Sequence, residues 1–454
     1  MVKHLTKTIG LAAAAFVLSP QVVFAQGYQG GFNGGAVLSQ RLEAELDGGG
    51  KRESELHSFY AARQFRPLWI EDGVPNAAAD TLLRLSDTAQ YDGLSRKSLR
   101  VDDLLSALRR TRSGTPKDLV RAELALSRTL AAYVQGTRIA RDSGMSYQNS
   151  LLAPVVPSIG SALGEAAKAD SLDEYLDEMR WMHPLYGQLR AALAARELDP
   201  AATQQVQLNL ERARALPANP APRYVLIDAA GASLSMYENG RVVDTMRVVV
   251  GKPSQPTPMI AGELSSAILN PYWNVPPDLV RDRIAYNVNA KGLGYLKTGG
   301  YQVLSDWTDD AKVINPAKVD WKAVEAGTRE QRVRQLPGRA NFMGKVKFTF
   351  PNNLGIYLHD TPDKALLKED ARQASSGCVR LEDASRLGRW LFGKTLVPKK
   401  GAVEQTVSLD QTVPVYITYL TAAPEKGRIV FRDDTYDRDQ TQLATLRKAG
   451  RSSR

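Results

Sequence analysis

Seven residues, Leu216-Pro-Ala-Asn-Pro-Ala-Pro222, carry three prolines and divide the chain into two parts of different periodicity. Proline fixes φ and lacks an N–H, so neither a helix nor a central strand runs through such a stretch. Before it, apolar residues recur at helical spacing. Leu119, Ala122, Leu126, Leu130 and Tyr133 form one face of a helix predicted over 118–138. Further helices are predicted from Leu172 to about Arg196 and over Gln204–Ala215, and Leu152-Ala-Pro-Val-Val-Pro157 forces a loop before them. After the linker the pattern turns to short β-prone runs: Tyr224–Asp228, Ser233–Tyr237, Met246–Val250, Ser266–Leu269, Gly344–Phe350, Ile356–His359, Val413–Leu420 and Arg428–Phe431. Asn239-Gly240 is a type I′ hairpin signal. One helix is predicted over 381–393, with Glu382 and Asp383 at its start and Gly393 at its end.

The expected fold class is therefore α+β. A helical scaffold domain at 42–215 and the linker at 216–222 precede a mostly β, sandwich-like domain at 223–400. Strands over 401–440 are expected to complete that domain. The polar stretch 277–334 is too long for a structureless loop, so it is expected to form a capping subdomain. Residues 26–41 read as a flexible lead-in and 441–454 as a basic, disordered tail. A chain of 454 residues exceeds one ordinary core, in keeping with this division.

The N-terminus has the layout of an export signal. Lys3, His4 and Lys7 precede the apolar run Ile9–Leu18, and Val23-Phe24-Ala25 offers a small-residue cleavage site. The run is shorter than the ~20 residues a membrane span needs. We expect a signal peptide at 1–25, cleavage near Ala25 and a periplasmic location; a retained N-terminal anchor is the alternative. Net charge is +10, but Arg447, Lys448, Arg451 and Arg454 crowd the last eight positions. No basic stripe interleaved with aromatics marks a nucleic-acid site, so the charge supports a mild affinity for acidic surfaces or substrates.

One cysteine, Cys378, stands in a chain bound for an oxidising compartment. It has no internal disulfide partner, which leaves a buried structural thiol, a dimer bridge or a reactive group. His359 lies 19 residues before it and is the one histidine of the β domain. A thiol attacks a carbonyl as thiolate and so needs a base or a positive environment. His359 is the candidate base. The helix start at Glu382 would also favour a thiolate. Gly377 permits a turn whose amides, with that of Cys378, form a candidate oxyanion hole. Strand alternation puts Tyr357 on the face of His359 and Asp360 on the other, so a backbone carbonyl is a better orienter of the imidazole than Asp360. No ligand cluster points to a metal, and no cofactor is implied. His57 and His183 have no partner cluster.

His359, a spacer and then Ser375-Ser376-Gly377-Cys378-Val379-Arg380 resemble the signature of the L,D-transpeptidase catalytic domain (YkuD-like). The resemblance extends toward the larger YcbB-like branch. It takes in Asn270-Pro-Tyr-Trp-Asn-Val-Pro276, Gln335-Leu-Pro-Gly338, Asn341, Gly344–Phe348 and Phe350-Pro-Asn352. In the helical part it rests on Phe59-Tyr60, Pro67-Leu-Trp69, Tyr91–Leu94 and Asn209–Arg212, so it covers most of 42–440. Two departures stand out. Ser376 occupies a position where many relatives carry His, and no peptidoglycan-binding module fits within the scaffold.

The resemblance implies a cysteine acyltransferase that joins peptidoglycan stem peptides by 3→3 cross-links through a thioester on Cys378. Donor and acceptor stems would be its partners, with carbapenems as inhibitors and cell-wall synthesis proteins as possible associates. Tyr357, Arg380, Ser375, Ser376 and Trp273 are candidate substrate-binding residues. Arg380 would bind a stem carboxylate or form an internal ion pair, Trp273 would line the groove or pack in the core, and the two serines could equally hydrogen-bond locally. The motif leaves open an L,D-carboxypeptidase, in which water takes the acyl group, and a non-catalytic wall-binding scaffold. A papain-like protease would carry its Cys before its His, the reverse of the order here.

Overall fold

The computed structural model describes residues 8–10, 34–47, 51–141, 143–195 and 197–452. Apart from residues 8–10, the expected export signal and most of the lead-in lie outside these residues. Among the described residues no helix is long and apolar enough to cross a membrane. The chain divides into two units. One spans 34–145, 151–220 and 420–452; the other spans 146–150 and 221–419.

The first unit is helical: α1 (Gly34–Leu46), α2 (Lys51–Ala62), α3 (Ala77–Asp87), α4 (Val101–Arg110), α5 (Pro116–Arg138), α6 (Ile159–Ala167), α7 (Leu172–Asp177), α8 (Pro184–Ala194) and α9 (Pro200–Ala213). At its centre lies α5. Thr115 caps it by accepting from the Asp118 N–H, and Pro116 occupies the first turn, where a missing N–H costs nothing. Leu119, Ala122, Leu126, Leu130 and Tyr133 are all buried, as their spacing predicts. Three expectations need correction. The lead-in becomes helix at Gly34, because Leu38, Leu42 and Leu46 follow one another at four-residue steps and are all buried. The single helix expected over 172–196 is two. Met179 takes a positive φ of 51°, and Pro184 begins α8 with His183 as its N-cap. Finally, the basic tail belongs to a helix over Arg438–Ser452. It is held where Asp439 accepts from Thr421 Oγ1 at 2.8 Å and meets Arg212 at 2.7 Å.

Buried polar hubs fix this unit. Glu123, on α5, accepts from the Leu68 and Trp69 N–H groups and from the Tyr60 hydroxyl. Asp92 is fully buried and accepts from the hydroxyls of Tyr133 and Tyr186 and from Arg190 Nε.

The second unit is built on one sheet: β1 (Ser146–Tyr147), β2 (Arg223–Asp228), β3 (Ser233–Glu238), β4 (Arg241–Gly251), β5 (Ile260–Leu269), β6 (Val346–Thr349), β7 (Leu358–His359), β8 (Gln373–Ser375), β9 (Val379–Leu381) and β10 (Gln405–Thr418). The hairpin from β3 to β4 turns at Asn239 and Gly240, both at positive φ, as type I′ requires. Neighbours run β6-β7-β9-β4-β3-β2-β10-β5, and β5 pairs back onto β6, so the sheet closes into a ring. Closure removes the edges that an open sheet would present. One helix, α10 (Ala384–Phe392), is capped by Asp383 and ends at Gly393 in the left-handed conformation.

Between β5 and β6 the chain leaves the sheet and builds a subdomain with its own core, including Trp273, Ile284, Val303, Trp321 and Val333. A three-stranded sheet of Trp273–Asn274, Tyr301–Val303 and Val333–Gln335 backs it. Residues Val280–Ala285 wind as a π-helix, a form that clusters at functional sites. The strands expected over 401–440 part company. β10 belongs to the ring, while Ala422–Glu425 and Arg428–Phe431 pair with each other and fall in the helical unit, where Ala422 and Ile429 join its core.

Candidate active site

Three adjacent strands carry the candidate residues. Antiparallel pairing sets Lys347 of β6 opposite His359 of β7, and parallel pairing sets His359 beside Arg380 of β9. Cys378 immediately precedes β9, and the Val379 N–H donates to the Tyr357 carbonyl at 3.0 Å. Carried back one step, the same register puts Cys378 beside Tyr357. Alternation does the rest. Phe348, Leu358 and Val379 point into the core with no exposed surface. Lys347, Tyr357, His359, Cys378 and Arg380 therefore share the opposite face. His359 is a diagonal neighbour of Cys378, at a Cα spacing of roughly 7–8 Å that long side chains can bridge.

The imidazole is oriented by the backbone. His359 Nδ1 lies 2.6 Å from the Asp360 carbonyl oxygen, so Nδ1 carries the proton and Nε2 is left as acceptor. The Asp360 carboxylate instead takes the Lys345 N–H and the Lys364 ammonium. His359 is buried, and burial, with the nearby Arg380 charge next, holds its pKa down to about 4. Cys378 is half-buried, and its Sγ lies 3.5 Å from the Gly355 carbonyl. Burial pushes the thiol up, while the Tyr357 N–H and the charges of Arg380 and Lys347 pull it back. Both shifts favour the uncharged forms of the thiol and the imidazole.

The turn that presents the sulfur is braced from two sides. Gly377 has φ +103°, where a side chain is strained, and an added Cβ would lie 3.4 Å from Ile356 Cδ1. Ser375 is buried; its hydroxyl donates to the Cys378 carbonyl at 2.6 Å and accepts from the Gly377 N–H at 3.2 Å. Thr257 donates from Oγ1 to the Gly377 carbonyl and accepts from the Gly251 N–H, both at 2.8 Å. Gly251 admits no Cβ, because one would sit 2.2 Å from the Gln255 carbonyl oxygen. Thr257→Val removes a buried donor and acceptor together. We expect it to cost about 1–3 kcal/mol of stability and to slow alkylation of Cys378. Thermal unfolding and iodoacetamide kinetics check this, and unchanged values for both would mean that Thr257 is no brace.

Several sequence expectations are redrawn. The Gly377 amide is committed to Ser375, which leaves the Cys378 amide as the one without an acceptor among the described residues. Ser375 serves the turn, whereas Ser376 is exposed at it. Trp273 is 8% exposed and packs on Phe342 at 4.8 Å inside the inserted subdomain, in keeping with its core-packing alternative. The helix expected to favour the thiolate starts at Ala384, beyond the intervening strand β9, and its first turn is already capped by Asp383. Arg380 forms no ion pair among the described residues; Asp363 and Arg283 are the other charges in its field. Sequence reasoning passed over Lys347 and Thr257. The alternation Lys345-Val346-Lys347-Phe348 was the available signal for the first, while nothing local marks the second.

Residues 222–413 match the family model described as the L,D-transpeptidase catalytic domain, and residues 54–193 match one described as a scaffold domain. A Haemophilus influenzae protein named as an L,D-transpeptidase candidate is 28% identical over 406 residues, covering 86% of this chain and 79% of its own. Among solved structures, an Enterococcus faecium L,D-transpeptidase point mutant overlaps 48% of this chain and 64% of its own, at 12% identity and TM-score 0.23. An L,D-transpeptidase from Mycobacterium smegmatis overlaps 43% of this chain and 58% of its own, at 12% identity and TM-score 0.22. This chain thus spans about three fifths of the length of those solved structures.

Proposed function

We propose, from the premise that residues 222–413 are an L,D-transpeptidase catalytic domain, that the protein forms 3→3 cross-links between peptidoglycan stem peptides through a thioester on Cys378. The observation that carries this reading is the shared face of His359 and Cys378, with Nδ1 fixed on the Asp360 carbonyl and Nε2 left to accept a proton. His359 Nε2 takes the Sγ proton as the sulfur attacks the carbonyl of the third residue of a tetrapeptide stem. The Cys378 N–H is the available donor to the oxyanion. When the tetrahedral intermediate collapses, the carbon–nitrogen bond breaks and the terminal D-Ala leaves with the proton returned from His359. The amine of a neighbouring stem then attacks the thioester, loses a proton to His359 and frees the thiol. Positioning two stems supplies much of the rate, because it converts a bimolecular step into an effectively unimolecular one.

Donor and acceptor stems are its partners in this reading, and the periplasm is where it meets them. The test is to incubate the protein with disaccharide-tetrapeptide muropeptides and identify the products by mass spectrometry. Dimers joined between third residues, absent with Cys378→Ala, are expected. Tripeptide monomers alone would make the enzyme a carboxypeptidase, and no product would contradict the reading.

A further inference from the structure

Lys347 has no part in the mechanism above, yet it stands in the same row of the sheet as His359. The row runs Lys347, His359, Arg380 across β6, β7 and β9, all on one face. Cross-strand neighbours in such a row are about 4.5–5.5 Å apart, so the imidazole lies between an ammonium and a guanidinium. Both cations are half-buried. Neither forms an ion pair or a side-chain hydrogen bond among the described residues. The Lys347 ammonium lies over the Tyr357 ring at 4.7 Å with Glu404 in its field, and Arg380 has Asp363 in its field without forming an ion pair with it. Arg283 of the inserted subdomain adds a third positive charge near Arg380. Desolvated cations without a directly paired counter-charge are costly. Two in one row, facing the nucleophile, form a receptor for an anion.

We propose that Lys347 and Arg380 form a clamp over His359 that binds the terminal carboxylate of the donor stem. The inference rests on the reading of Cys378 as an acyl-transfer nucleophile. Distance supports it. The row of cations lies two residues along the strands from Cys378, about 6.6 Å at 3.3 Å per residue. In a tetrapeptide donor only a nitrogen and a Cα separate the attacked carbonyl carbon from the carboxylate carbon, a span of about 4 Å at ordinary bond lengths. The long side chains of Lys347 and Arg380 close the remainder. A carboxylate held there places the leaving nitrogen over the imidazole, where it must collect its proton.

The experiment compares a tetrapeptide donor carrying a free C-terminal carboxylate with the same donor as its C-terminal carboxamide. It uses the wild type, Lys347→Met and Lys347→Arg, with thermal unfolding to check each fold. The wild type should prefer the acid by roughly tenfold or more in kcat/KM, one good charge-assisted contact. Lys347→Met should shrink that preference, with the larger loss on the acid donor, and Lys347→Arg should restore part of it. Equal losses on both donors, or a wild type indifferent to the carboxamide, overturn the clamp. A second readout needs no turnover: the ratio of Cys378 alkylation rates by iodoacetate and by neutral iodoacetamide. It should fall several-fold in Lys347→Met. If neither donor reacts but this ratio falls, the clamp stands and the stem-peptide reading fails; an unchanged ratio overturns the clamp whatever the donors do.

Discussion

Exchange of His359 for Gln is expected to lower D-Ala release from a tetrapeptide donor by roughly 10²–10⁴-fold, the usual contribution of a positioned acid–base group. Gln keeps the size and polarity of the side chain, but it cannot take up the Sγ proton and return it to the leaving nitrogen. The groups facing His359 are Lys347, Arg380, Tyr357, Cys378 and the Asp360 carbonyl. Burial and the two cations keep its pKa near 4 in the free protein. Its neutral, accepting form is therefore present at all pH values well above that, and is lost only as pH falls through about 4. The acid limb of kcat/KM should accordingly lie nearer pH 4 than the 6.5 of an unperturbed histidine. Steady-state D-Ala release measured against pH in wild type and variant checks both points. A variant within tenfold of wild type would remove His359 from the proton transfers.

Asp92→Ala should cost about 3–5 kcal/mol of stability, the range for breaking a buried pair by removing one partner. Asp92 has no exposed surface and binds Arg190, which is 3% exposed, at 2.8 Å. Truncation leaves the guanidinium buried without its counter-charge. Its second nitrogen keeps the Thr88 carbonyl at 2.9 Å, which does not replace a carboxylate. Two buried tyrosine hydroxyls lose their carboxylate acceptor at the same time, and Tyr133 keeps the Leu85 carbonyl at 3.4 Å. Chemical denaturation of the variant measures the loss. A change under about 1 kcal/mol would mean that the network relaxes around the gap.

The candidate nucleophile and base were legible because their chemistry is local in sequence. One cysteine, one nearby histidine and the glycine between Ser376 and Cys378 select the site. Strand alternation alone excluded the Asp360 carboxylate as orienter, and the Asp360 carbonyl takes that place. The type I′ turn at Asn239-Gly240 and the capped start of α10 were readable for the same reason. What escaped depends on partners far along the chain. Closure of the ring through β5 and β6 joins residues about eighty positions apart, and no local propensity encodes it. Ala422–Glu425 and Arg428–Phe431 look like further strands of the sheet, but their apolar residues are buried in the helical unit. For Trp273 the residues left groove lining and core packing open, and it joins the core of the inserted subdomain. Lys347 becomes visible only when β6 sets it opposite His359.

The central claim is that Cys378 carries the acyl group. It is tested most directly by intact-protein mass spectrometry of the wild type, quenched in acid during reaction with a tetrapeptide donor. The account predicts a mass gain equal to the donor less its terminal D-Ala, mapped to the peptide containing Cys378 and absent from Cys378→Ala. Release of D-Ala with no adduct at Cys378, or an adduct on another residue, would contradict it.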